Sequence, residues 1–202
     1  MSRVITCLAV SVVLLIPLAL ACQMEQVHVR GVLSGITPHV LTVTSRDGAT
    51  VSVRLIGRYQ VVMAVHQAEL AAVTPGTYIG TAALRQSDGT LEAVGVLVFP
   101  DSERGTGGGH FEWDQGHESS MTNAVVTDIV TSAEGRQLTL TYKGGAVKVT
   151  VPPRVPIGTC QRVDKRLLQL GSPVFMRATQ QPDGTLTSAR VFVGNNGFVP
   201  PL

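Results

Sequence analysis

The sequence is poor in charge, in aromatic rings and in cysteine. Only 15% of its residues are charged, 16 basic against 14 acidic, so it lacks the basic excess that displaces counterions from nucleic acid. With 4% aromatic residues and one tryptophan there is no row of platforms on which single-stranded bases could stack. Nucleic acid is therefore not an expected partner. Three cysteines do not make a disulfide framework. Catalytic signatures are missing too: there is no Gly-x-Ser-x-Gly, no His-Glu-x-x-His and no Cys-x-x-Cys. The glycine run at 105–109 lacks the lysine and hydroxyl residue of a phosphate-binding loop. Carboxylates such as Asp47, Asp88 and Asp183 fall in turns, where they stabilise the bend. The expectation is a protein that is not an enzyme. Its 44% hydrophobic content still excludes a disordered chain.

What is present begins with a leader. Arg3 supplies a positive start, Val4 to Ala21 is apolar, and the run closes on Ala19-Leu20-Ala21 after the helix-breaking Pro17. This is the pattern of a signal peptide over residues 1–21, removed after Ala21, and it predicts export to the periplasm or cell envelope of a bacterium. Cys22 follows the cut, and two fates are open to it. As a lipoprotein cysteine it would be acylated, which would be the chain's only attachment to a membrane; otherwise it could pair with Cys160 in an oxidising compartment. Cys160 itself reads as a small buried hydrophobe, since no activating base stands near it in the sequence.

The strongest internal signal is a repeat. Gln86-Ser87-Asp88-Gly89-Thr90-Leu91 returns as Gln181-Pro182-Asp183-Gly184-Thr185-Leu186, and Gly76 returns as Gly171 at the same offset. Upstream, Leu41-Thr42-Val43-Thr44 answers to Leu138-Thr139-Leu140-Thr141, each followed by a glycine turn and a second alternating run. Alternation of apolar and polar residues predicts half-buried strands, and the Asp-Gly pairs predict tight hairpins. Only Gln67–Ala72 and Asp164–Gln169 break the alternation, and each reads as a short helix. The order strand, strand, strand, short helix, strand, strand is that of an OB-type barrel. The expected fold is therefore all-β, with two tandem OB-like five-stranded small barrels at 22–100 and 121–202, each with a short helix, behind the signal peptide.

Between the repeats, residues 101–120 form a Gly-rich joining segment. It holds Arg104-Gly105-Thr106-Gly107-Gly108-Gly109-His110, then Trp113-Asp114, and leads into Met121-Thr122-Asn123. With the later Leu140-Thr141-Tyr142-Lys143-Gly144-Gly145 and Pro182-Asp183-Gly184-Thr185-Leu186, these motifs resemble an uncharacterised family of secreted bacterial proteins, a domain of unknown function. The resemblance covers most of the mature chain and implies a fold and an exported location, with no activity attached.

Two functional readings of the joining segment follow from its residues. His110, Asp114 and His117 supply two imidazoles and a carboxylate within eight positions, a ligand set suited to zinc or copper. Trp113 either docks between the barrels and fixes their orientation or stacks on a ligand. The whole sequence thus predicts a non-catalytic binding or assembly module whose partner is an unidentified protein or envelope component. The alternative is a metal-binding envelope protein built on His110, Asp114 and His117.

Overall fold

Alternation fixes the faces of the strands as the sequence predicts. In β2 (Val40–Ser45) Leu41 and Val43 are fully buried while Thr42 and Thr44 face outward, and β3 (Thr50–Leu55) turns Val53 and Leu55 to the same core. The second repeat copies this with Leu138 and Leu140 of β9 (Gly135–Tyr142) and Val149 and Val151 of β10 (Gly145–Val151). The computed structural model describes residues 24–57, 61–133 and 135–202. The leader expected over residues 1–21 and Cys22 lie outside the described residues.

The fold is all-β. Its remaining strands are β1 (Gln26–Ile36), β4 (Val61–Ala68), β5 (Tyr78–Arg85), β6 (Leu91–Val98), β7 (Gly109–Glu112), β8 (Ser119–Ser132), β11 (Ile157–Val163), β12 (Pro173–Gln180), β13 (Leu186–Ser188) and β14 (Arg190–Gly194). Among the described residues no helix exceeds a three-residue 3-10 turn, and none is long and apolar enough to cross a membrane. The two Asp-Gly sequences form the predicted hairpins, β5–β6 and β12–β13, with Gly89 at φ 84° and Gly184 at φ 82°. The left-handed backbone there suits glycine because a Cβ would meet the adjacent carbonyl.

The expected five-stranded barrel closes, but its strands come from both repeats. β1, β2 and β3 of the first repeat are completed by β13 and β12 of the second: β3 pairs in parallel with β13, and β12 returns to β1 over seven residue pairs, Gln26–Thr179 to Val32–Pro173. The complementary strands follow the same order. β8, β9 and β10 are joined by β6 and β5, with β6 meeting β10 at the single pair Thr150–Glu92. Strand pairing therefore crosses the boundaries expected at 22–100 and 121–202.

The physical reason lies in the segments read as leading into a short helix. Gln67 and Ala68 continue β4, leaving only a 3-10 turn at Leu70–Ala72, and the counterpart turn is Lys165–Leu167. Eight extended residues at about 3.3 Å each carry the chain about 26 Å in one direction, away from its own β1, before the following hairpin begins. β4 and β11 run antiparallel to one another over seven pairs, Val62–Val163 to Ala68–Ile157, so each delivers its hairpin to the opposite ring.

Three apolar clusters result. Those within the rings are aliphatic, the first around Leu33, Leu41, Val53 and Met176, the second around Ile79, Leu138, Leu140 and Val149. The third lies between them and gathers Met63, Val65, Leu97, Cys160 and Leu202 with all five phenylalanines, Trp113 and Tyr78. Gly95 and Gly194 let the final segment settle onto this core: a Cβ on either would collide with the carbonyl of Pro201 or Phe198 respectively.

Candidate functional site

The joining segment is a built element. Glu103 closes a 3-10 turn at Asp101–Glu103, and β7 pairs with β8 from Gly109–Asn123 to Glu112–Ser120. The motif residues hold this clasp. Asn123 Nδ2 donates to the Gly107 carbonyl at 2.9 Å, Thr122 Oγ1 meets His110 Nδ1 at 2.8 Å, Tyr78 donates to the Thr106 carbonyl at 2.9 Å, and Met121 enters the central core. Beyond β7 a tight loop is closed by the Trp113 N–H on the Ser119 carbonyl and by the Ser119 hydroxyl on the Trp113 carbonyl. That loop aims Trp113 and Asp114 at β1.

On β1, His28 and Arg30 occupy alternate positions of one face and receive both residues. Trp113 lies 4.0 Å from the His28 ring and 5.9 Å from Phe175, centroid to centroid, with the Arg30 guanidinium 5.7 Å from the indole. Asp114 takes both Arg30 Nη atoms at 2.7 Å and His28 Nδ1 at 3.0 Å. Arg30 Nε also donates to the Leu202 main-chain oxygen at 2.7 Å, so one arginine ties β1, the joining segment and the final residue together. Burial raises the pKa of Asp114, but the Arg30 hydrogen bonds and the nearby positive charge outweigh it and hold the carboxyl below the ordinary carboxylate range. For His28, burial dominates over the pull of Asp114 and lowers the pKa. Trp113 thus docks against the first ring and its aromatic neighbours.

A second ion cluster anchors the other end of the segment. Glu103, 5% exposed at its side chain, accepts from Arg190 at 2.8 Å and from Arg162 at 3.0 Å. Burial raises its pKa, yet the two arginines bring the net shift downward. Between the two anchors opens a cleft of about 160 Å³, lined by Phe99, Phe111, Trp113, Phe175 and Phe192 with Arg177 and Arg190 at its sides. Arg177 lies 5.5 Å over the Phe111 ring. A larger, polar depression of about 580 Å³ adjoins it across Leu202, with Arg30, Arg46 and Asp114 in its wall.

The structure does not bring the expected metal ligands together. His110 sits on β7, bound to Thr122 and stacked on Tyr142; Asp114 is occupied by Arg30 and His28; His117 projects from the loop tip with its side chain 94% exposed. Strand pairing turns His110 toward β9, while the bidentate guanidinium fixes Asp114 against β1. Among the described residues no three His, Cys, Asp or Glu side chains gather as a metal-holding group, so the zinc or copper expectation has no assembled site. Cys160 is free and buried, and burial pushes its thiol up to about 12, which keeps it protonated.

No family model, curated protein or solved structure matches this chain. His28, Arg30, Glu103, Arg162 and Arg190 are site residues that sequence reasoning missed. The alternation Val27-His28-Val29-Arg30 marks His28 and Arg30 as one strand face, but a strand face is solvent-facing by default, and nothing local says that a segment 84 residues away covers it.

Glu103→Ala removes a buried carboxylate and leaves Arg190 unpaired. The expected loss is about 2 kcal/mol by urea denaturation, less than for a fully enclosed pair because Arg162 is half exposed. A loss within error of zero would contradict the anchoring role. Acid stability gives a second test. Burial lowers the pKa of both His28 and His110, so the unfolded chain binds protons that the folded chain refuses, and stability falls as pH drops below about 6.5. The paired carboxylates, with lowered pKa, lose their contribution only at more acidic pH. The double variant His28→Gln, His110→Gln flattens the slope between about pH 7 and pH 5; an unchanged slope would show that other groups carry it.

Proposed function

We propose that this chain is an exported bacterial cell-envelope protein that acts as a non-catalytic binding or assembly module. The observation that carries the reading is the aromatic and arginine-lined cleft between the joining segment and the first ring. Its charged neighbours are arranged to hold and not to react. Asp114 and Glu103 are kept ionised by arginines, which makes them poor general acids at neutral pH, and the nearby thiol stays protonated. Nothing among the described residues points to catalysis. The compartment rests on the leader pattern of residues 1–21 and on the motif resemblance to secreted proteins. Attachment through lipid on Cys22 fits the same location.

A photo-reactive residue placed at 106, in the cleft wall, and another at 148, at an exposed position of β10, test the reading in cells that export the chain. The expected result is a discrete adduct from position 106, seen by intact mass or gel shift, and none from 148. Equal labelling from both positions, or none from either, would overturn a binding role for the cleft.

A further inference from the structure

The binding-module reading leaves open what the cleft takes, and the following inference rests on it. Two buried donors at the cleft have no acceptor: Trp113 Nε1 and Arg190 Nη1. Both residues line the same cavity; the two nitrogens themselves are buried and add positive potential beside it. The charge around the cavity is also unbalanced. Arg177 and Arg190 line it and no carboxylate does; Arg190 is paired with Glu103, while no ion pair is formed by Arg177 among the described residues. Arg177 is left lying over the Phe111 ring, beside the cavity mouth.

The walls themselves are apolar and flat-sided, built from Phe99, Phe111, Phe175 and Phe192 with Met121 behind them. A volume of about 160 Å³ lies below the about 300 Å³ at which drug-sized pockets begin, so the occupant is a fragment no larger than one aromatic amino-acid side chain. We propose that the cleft is a binding site for a small monocarboxylate with a flat apolar body, its ring among the phenylalanines and its carboxylate on the exposed Arg177 guanidinium, with the positive charge of Arg190 beside it. Charge-assisted hydrogen bonds from guanidinium to carboxylate suit this placement, and the ring faces supply the apolar contact.

The probe is sodium benzoate, titrated into the mature chain, residues 22–202, and followed by calorimetry and by the emission of Trp113, the only tryptophan. Benzamide keeps the ring and removes the charge; acetate keeps the charge and removes the ring. Expected is a saturable benzoate isotherm with Kd in about the millimolar range, with benzamide and acetate each weaker by about ten-fold or more. Arg177→Gln, at an exposed position, weakens benzoate by about five-fold or more. Benzamide binding as well as benzoate would overturn the carboxylate and leave an apolar slot. No saturable response to benzoate, with a discrete adduct still formed from position 106, would overturn the carboxylate specificity and leave the binding-module reading standing. Loss of both would remove the two together.

Discussion

The structure depends on one constraint: neither repeat completes its own ring. β1 to β3 present two open edges, at β1 and at β3, and the strands that pair with them lie about 100 residues or more away in the chain. An open edge of unpaired N–H and C=O groups both costs stability and invites aggregation, so the ring forms only when the second repeat has been delivered to it. Strands β4 and β11 direct that delivery by carrying each hairpin away from its own repeat. Because they also pair with each other, the crossing point becomes the middle of a continuous sheet instead of a loose hinge.

From that crossing follows the location of the chemistry. Exchange of hairpins creates a third core between the rings, and this is where the chain places nearly all of its aromatic rings. The inside of a small barrel has room for Val, Leu and Ile at alternate positions; the space between the two sets of strands is filled by larger flat side chains and by the folded-back final residues. The joining segment seals one side of this gap and is held at both ends by buried or half-buried ion pairs, Glu103 at its start and Asp114 near its end. The cleft with its arginines is the space that this seal does not fill.

Much of the fold was legible in the sequence. Alternation in Leu41-Thr42-Val43-Thr44 and its repeat fixed strand faces, and Asp88-Gly89 and Asp183-Gly184 fixed hairpins, because both signals are local. The all-β class and a five-stranded barrel followed. What stayed hidden was partnership. β1 pairs as well with β12 as it would with β5, since the repeats offer almost the same apolar faces, and the choice is made by the direction of β4, whose last residues resemble a helix. The site was legible in part for the same reason. Trp113 stood out as a lone indole and does dock, whereas His110, Asp114 and His117 were close only in sequence; strand pairing and the Arg30 clamp separate them. Glu103 gave no signal at all, because its arginines lie 59 and 87 residues away.

The exchange of hairpins is the claim on which everything else stands, and Hα–Hα contacts by nuclear magnetic resonance test it most directly. The account predicts close cross-strand contacts between β1 and β12, along the register that places Val29 opposite Met176 and Arg30 opposite Phe175. Contacts from β1 to β5, within the same repeat, would contradict it and return each barrel to its own half of the chain.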